Sequence, residues 1–186
     1  MRIVAAAMLV VLALCGTARA AMFGELRGGL FVHGVGSAGL MDPGRLEDAN
    51  LEFVFKPLID VPALGSIQPV VGVTANFGGE ESFGYAGLDW HVPVLITPFF
   101  VEAGLGGALG SNMLGQPVPS PSNPAAASAQ AQQWSCAPLW HAQLSAGIQL
   151  TDLADVMLTG EHYRPMSACG TTAAVTNVGV RVGVSF

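Results

Sequence analysis

The residues of this chain that could do chemistry are few and scattered. Zinc and related ions are held by His, Cys or carboxylate ligands at short, fixed spacings. His33, His91 and His141 have no such partners beside them, so they read as hydrogen-bonding residues, with no metal site implied. Gly104, Gly106, Gly107 and Gly110 resemble a nucleotide loop only in composition. No Lys-Ser/Thr pair follows them and no helix begins there, as phosphate cradles require, and no cofactor is indicated. The remaining set is a group of charges in the middle of apolar segments: Glu25, Arg27, Glu52, Lys56, Asp89, Glu102, Glu161 and Arg181. Such charges need an architecture that gathers them on one face.

Composition narrows that architecture. The chain has 186 residues, of which 11% are charged and 51% hydrophobic, with mean hydropathy +0.51. Low charge with high hydropathy argues against disorder, and the length suits one domain. Net charge is −6 without a basic run, which excludes the electrostatic footprint of a nucleic-acid binder. A transmembrane helix needs about 20 apolar residues in a row, and the sequence has one apolar region approaching that, at its N-terminus. The rest of the hydropathy lies in short or alternating segments.

That N-terminal segment has the form of an export signal. Met1-Arg2 is followed by an almost wholly apolar run from Ile3 to Cys15, then by the small-x-small series Ala18-Arg19-Ala20. This order matches a secretory leader, and the run is short for a membrane anchor. The expected domains are therefore a signal peptide, 1–20, and a mature domain, 21–186. Cleavage removes Cys15 and leaves Cys136 and Cys169. In an exported chain these two are expected to form a disulfide.

The mature chain has a period of two. Val178, Val180, Val182, Val184 and Phe186 alternate with Gly179, Arg181, Gly183 and Ser185. Successive strand side chains point to opposite faces, so one face here is apolar and the other polar or small. The stretch from Pro138 to Leu150 does the same. Further strands are expected at 23–35, 49–57, 68–77, 82–92, 97–108 and 156–165, each near the length that crosses a membrane as a tilted strand. The total is eight, and bacterial outer-membrane barrels have even strand numbers.

The mid-strand charges fall on the polar face. A soluble sandwich would turn that face to water, whereas a membrane barrel turns it inward and its apolar face to lipid. An eight-stranded barrel is just wide enough for side chains to fill its interior. The expected fold is thus all-β, an eight-stranded antiparallel up-and-down transmembrane barrel in the bacterial outer membrane. Its charges form a structural polar plug rather than a channel or an interior active site. A soluble periplasmic ligand-binding barrel is the alternative that alternation leaves open. The segment from about 109 to 135 is rich in Pro, Ser, Ala and Gln and is expected to be a long outer loop. Residues 151–155 are expected to form a short inner turn.

Several stretches, taken together, resemble the lipid A 3-O-deacylase, or acyloxyacyl-hydrolase-like, family of outer-membrane proteins. They are Glu25-Leu26-Arg27-Gly28-Gly29 with His33, Asn50 to Phe55, Pro69 to Val73, Asn76 to Gly79, Tyr85 to Trp90, Phe100 to Ala108 and Gly179 to Phe186. The series extends over nearly the whole mature chain. The resemblance implies an eight-stranded barrel and hydrolysis of the ester that carries a 3-hydroxyacyl chain on lipid A. The family uses a serine nucleophile, a histidine base and an acid that orients the histidine. A base must take the serine proton within hydrogen-bond reach, and the acid fixes the imidazole tautomer. The family pattern is His-x-Ser-Asn at the outer end of the seventh strand, with the acid about a dozen residues past the serine.

Here that place reads Glu161-His162-Tyr163-Arg164-Pro165, and the region of the acid reads Ala173-Ala174-Val175-Thr176-Asn177. The resemblance makes His162 the base, but Arg164 stands in the nucleophile's place and there is no carboxylate in the acid's. One reading is a catalytically silent barrel, structural or lipopolysaccharide-binding, in which Arg164 meets a lipid A phosphate. Another makes Ser167, five residues past His162, a displaced nucleophile. In the third the chemistry lies elsewhere. The expected partners are lipopolysaccharide and outer-membrane lipids, with no nucleic acid; the oligomeric state is left open.

Overall fold

The computed structural model describes residues 23–35, 46–111, 138–166 and 174–186. The expected signal peptide, the long loop beyond residue 111, the Cys136–Cys169 bridge and Ser167 lie outside these residues. The strands are β1 (Phe23–Val32), β2 (Leu46–Phe55), β3 (Ile59–Val61), β4 (Gly65–Asn76), β5 (Phe83–Pro93), β6 (Phe99–Gly110), β7 (Leu139–Thr151), β8 (Ala154–Pro165) and β9 (Val175–Ser185). Every pairing is antiparallel, and β1 pairs with both β2 and β9, closing the sheet into a barrel. Strand β3 pairs with the start of β4 on the side where β2 pairs further along. It is a detached continuation of β2, so the barrel has eight staves.

This detail accounts for the ten-residue gap between the expected strands at 49–57 and 68–77. Between the pairs Val54–Val70 and Ile59–Ile67, the β2 side contains two more residues than the β4 side. The surplus at Lys56-Pro57-Leu58 is a bulge, which one extra residue or more produces in a ladder. Lys56 is consequently exposed beyond the end of β2 and not part of the interior. The tight turn between β7 and β8 is shorter than expected, at Asp152 and Leu153.

The register fixes the barrel's shape. Pairing leads from Phe99 through Ile148, Val156, Val182, Gly28, Leu51, Val73 and Gly84 to Leu109. One circuit thus returns to β6 about ten residues further along. For eight strands that stagger requires a tilt of about 41° and a radius of about 8 Å. We call the end where β1 begins and β9 finishes the terminal end, and the other the loop end.

Alternation is inverted relative to a soluble protein. Leu30, Leu105, Leu144, Leu158, Val180, Val182 and Val184 are exposed, while Arg27, Glu52, Asp89, Glu102, Glu161 and Arg181 are buried. Burial of isolated charges is costly, so they must be paired and hydrogen-bonded. Arg27 forks onto Glu102, with Nη1 donating to Oε2 at 2.8 Å and Nη2 to Oε1 at 2.7 Å, and its Nε donates to Glu25 at 2.6 Å. Arg181 donates to Asn50, Gln143 and Tyr85, each at 2.9 Å, and to Glu161. Tyr85 donates onward to Glu52 at 2.9 Å, which also lies 3.3 Å from Arg27. The two guanidinium clusters are therefore one network. Towards the loop end aromatic rings take over: Phe83 stacks on Tyr163 at 4.0 Å, and His141 packs 4.2 Å from Tyr85. His33 is hydrogen-bonded to Asp48 and His91 to Glu102, the interior role expected of them.

The crowded lumen also places its glycines. A Cβ on Gly147 would run into the Phe100 ring, and one on Gly72 into the Tyr85 ring. Both aromatics lie over the gap that a missing side chain leaves.

Candidate functional site

Because side chains alternate along β8, Glu161 and Tyr163 point inward and His162 and Arg164 outward. The interior pair is consumed by structure, since Tyr163 donates to Glu161 at 2.9 Å. The outward pair lies at the loop end of the apolar coat. Across the ladder, His162 faces Ala142 of β7 and Thr176 of β9, and Arg164 faces Trp140. Trp140 is half-exposed, as an amphipathic ring at a membrane–water boundary is.

His162 and Arg164 are exposed. The Nδ1 of His162 lies 2.8 Å from Thr176 Oγ1. This holds the ring through Nδ1. Thr176 is twelve residues past Arg164, in the place where the family resemblance puts the acid. Of the expected triad, then, the histidine is present and oriented, a hydroxyl stands for the carboxylate, and a guanidinium stands for the serine. A threonine hydroxyl can hold the imidazole but cannot stabilise its protonated form as a carboxylate does. Arginine stays protonated and cannot attack a carbonyl. It can meet a phosphate or carboxylate through two parallel N–H donors.

Thr176 gives no sign of this role in the sequence, because the triad chemistry calls for a carboxylate there. Its contact with His162 depends on the β8–β9 register, which parity within one strand does not supply. The structure brings His162, Arg164, Thr176 and Trp140 together; Ser167 is outside the described residues.

No family model and no curated protein matches the sequence. Among solved structures, the barrel is similar to the outer membrane enzyme PagL, with a TM-score of 0.57 and 12% identity, covering 87% of this chain and 99% of that one. It is also similar to the N-terminal β-barrel domain of Pseudomonas aeruginosa OprF, with a TM-score of 0.52 and 9% identity, covering 89% and 99%. At such identities the likeness is one of fold. Together with the apolar outer coat and the charged interior, it defines this chain as a bacterial outer-membrane β-barrel with eight staves. The soluble-barrel alternative does not fit that arrangement, because it would leave the apolar face in water.

Proposed function

We propose that this barrel binds lipopolysaccharide through the outward face of β8 and does not cleave it by serine chemistry. Arg164 is the observation that carries the reading. It is a fixed cation, exposed at the edge of the lipid-facing surface, in the place where the resemblance to lipid A deacylases puts the nucleophile. Its guanidinium takes an anionic headgroup group such as a lipid A phosphate, and the oriented Nε2 of His162 supplies a second polar contact. Trp140 lies beside them where acyl chains meet headgroups. Lipopolysaccharide titrated into the purified barrel in detergent tests this. A charged hydrogen bond contributes about 1.5–3 kcal/mol, so Arg164→Ala should weaken binding by about tenfold to a hundredfold. Dephosphorylated lipid A should bind wild type and variant alike. Equal affinity of both proteins for intact lipopolysaccharide overturns the reading.

The Nδ1–Thr176 contact supports one second reading. An imidazole held at Nδ1 has Nε2 free to act as a base, and Ser167 is the nucleophile it would serve. In that case the protein removes a 3-O-linked acyl chain from lipid A, and either His162→Ala or Ser167→Ala abolishes the loss. An unchanged lipid A mass spectrum with folded wild-type protein rejects it.

A further inference from the structure

We infer that the turns at the terminal end of the barrel are seated in the bilayer, in the leaflet opposite the His162 rim, with phospholipid covering them. These turns are unusually apolar for segments that join strands. Leu58, Ile59, Val61 and Leu64 crowd the β2–β4 connection, and Val94, Leu95 and Ile96 form the β5–β6 turn. All are exposed, and Ile96 is fully so.

Ile96 is also held at a φ of 67°, a conformation that β-branched residues rarely adopt and that a glycine would take freely. The turn is closed by the Thr97 amide donating to the Val94 carbonyl at 3.1 Å. An isoleucine at that tip presents a large apolar side chain where a polar tip would suit water.

The height of the barrel says what covers them. At a tilt of about 41°, each strand residue rises about 2.5 Å along the barrel axis. The lipid-facing band of an outer-membrane barrel is about 25 Å tall, or about ten residues. Below His162 the outward residues of β7, β8 and β9 are apolar: Leu144, Ile148, Leu158, Val156, Val180 and Val182 among them. If the polar pair His162 and Arg164 marks one edge of the band, about ten residues down β8 lies Asp152, in the β7–β8 turn. Leu153 falls inside the band, and the stagger of the ladder puts the tip of the β5–β6 turn close to the same level. Shifting the barrel until these turns reach water on their own side would draw His162 and Arg164 into the hydrocarbon, and leave Leu95, Ile96 and Leu153 without cover. The apolar surface of the turns is continuous with the lipid-facing wall. The charges there, Lys56, Asp60 and Asp152, are all exposed and belong at the headgroup level, which a lysine reaches by extending its stem.

The test uses the mature chain with Cys136 and Cys169 replaced by serine and one new cysteine carrying an environment-sensitive fluorophore. The positions are Ile96→Cys, Leu153→Cys and, above the His162 rim at the loop end, Phe77→Cys. Each protein is folded into phosphatidylcholine vesicles, and folding is checked by heat-modifiable migration. The fluorophores at 96 and 153 should be quenched by phosphatidylcholine bearing an acyl-chain nitroxide and be severalfold less accessible to aqueous iodide than that at 77. Having two positions keeps the test open if one variant fails to fold. Iodide access equal to that at 77 overturns the inference. So does shielding from iodide without nitroxide quenching, which would mean that a second copy of the chain covers the turns.

Discussion

Arg181→Met removes the cation at the centre of the lumen while nearly preserving its bulk. Arg181 is fully buried and donates to Asn50, Gln143, Tyr85 and Glu161. The variant leaves Glu161 and Glu52, both buried, without the guanidinium that lies within 3.6 Å of Glu52. Breaking a buried ion pair from one side costs about 3–5 kcal/mol, close to a thousandfold in the unfolding equilibrium. Asn50 still donates to Thr74 at 2.9 Å and Tyr163 to Glu161, so the barrel should form with its strand order intact. The assay is urea unfolding in phospholipid vesicles, followed by tryptophan emission, since Trp90 and Trp140 stand on the outer surface. Glu161→Gln added to Arg181→Met removes the orphaned charge and should recover about 2 kcal/mol, within the range of coupling between contacting residues. A loss below about 1 kcal/mol for Arg181→Met, well short of the cost of a broken buried pair, would refute the reasoning. Strictly additive effects of the two substitutions would do the same.

Val182→Arg, one residue along from Arg181 but facing lipid near mid-band, should destabilise by about 2–4 kcal/mol, whereas Val182→Leu should be nearly neutral; the same urea titration checks both. Gly147→Val places a branched side chain where the Phe100 ring lies and is expected to cost about 1–3 kcal/mol as overpacking. Combining Gly147→Val with Phe100→Ala should cost less than the two single losses added together. Arg164→Ser with Thr176→Glu supplies a hydroxyl beside His162 and a carboxylate at its Nδ1. Lipid A mass spectrometry is expected to show loss of an ester-linked acyl chain with this pair, and little with Arg164→Ser alone. An inert double variant would mean that the β8 face lacks more than those two groups.

The strands were legible because most of each alternates, and in the Val178–Phe186 run one face is free of charge altogether; the alternation fails where the lumen takes apolar side chains, as at Phe31, Val70, Phe100 and Met157. Boundaries slipped where alternation carries no signal. The second strand begins at Leu46 rather than 49 and the last at Val175 rather than 178, since Asp48 and Asn177 are polar residues turned into the lumen. Strand β3 leaves no trace in the period because the bulge at Lys56-Pro57-Leu58 breaks it, and the same bulge puts Lys56 outside. Which residues face inward could be read from parity; which of them touch could not. Arg27 meets Glu102 from 75 residues away, a contact fixed by the stagger of the closed barrel. The site divides in the same way. His162 and Arg164 share a face by spacing alone, whereas Thr176 joins them only through the pairing of β8 with β9.

The most direct measurement is mass spectrometry of the lipid A that co-purifies with the protein when it is extracted gently from outer membranes. Binding without cleavage requires intact, fully acylated, phosphorylated lipid A on the wild-type barrel and its depletion from Arg164→Ala. Bound lipid A lacking its 3-O-linked acyl chain, or equal amounts on the two proteins, would contradict it.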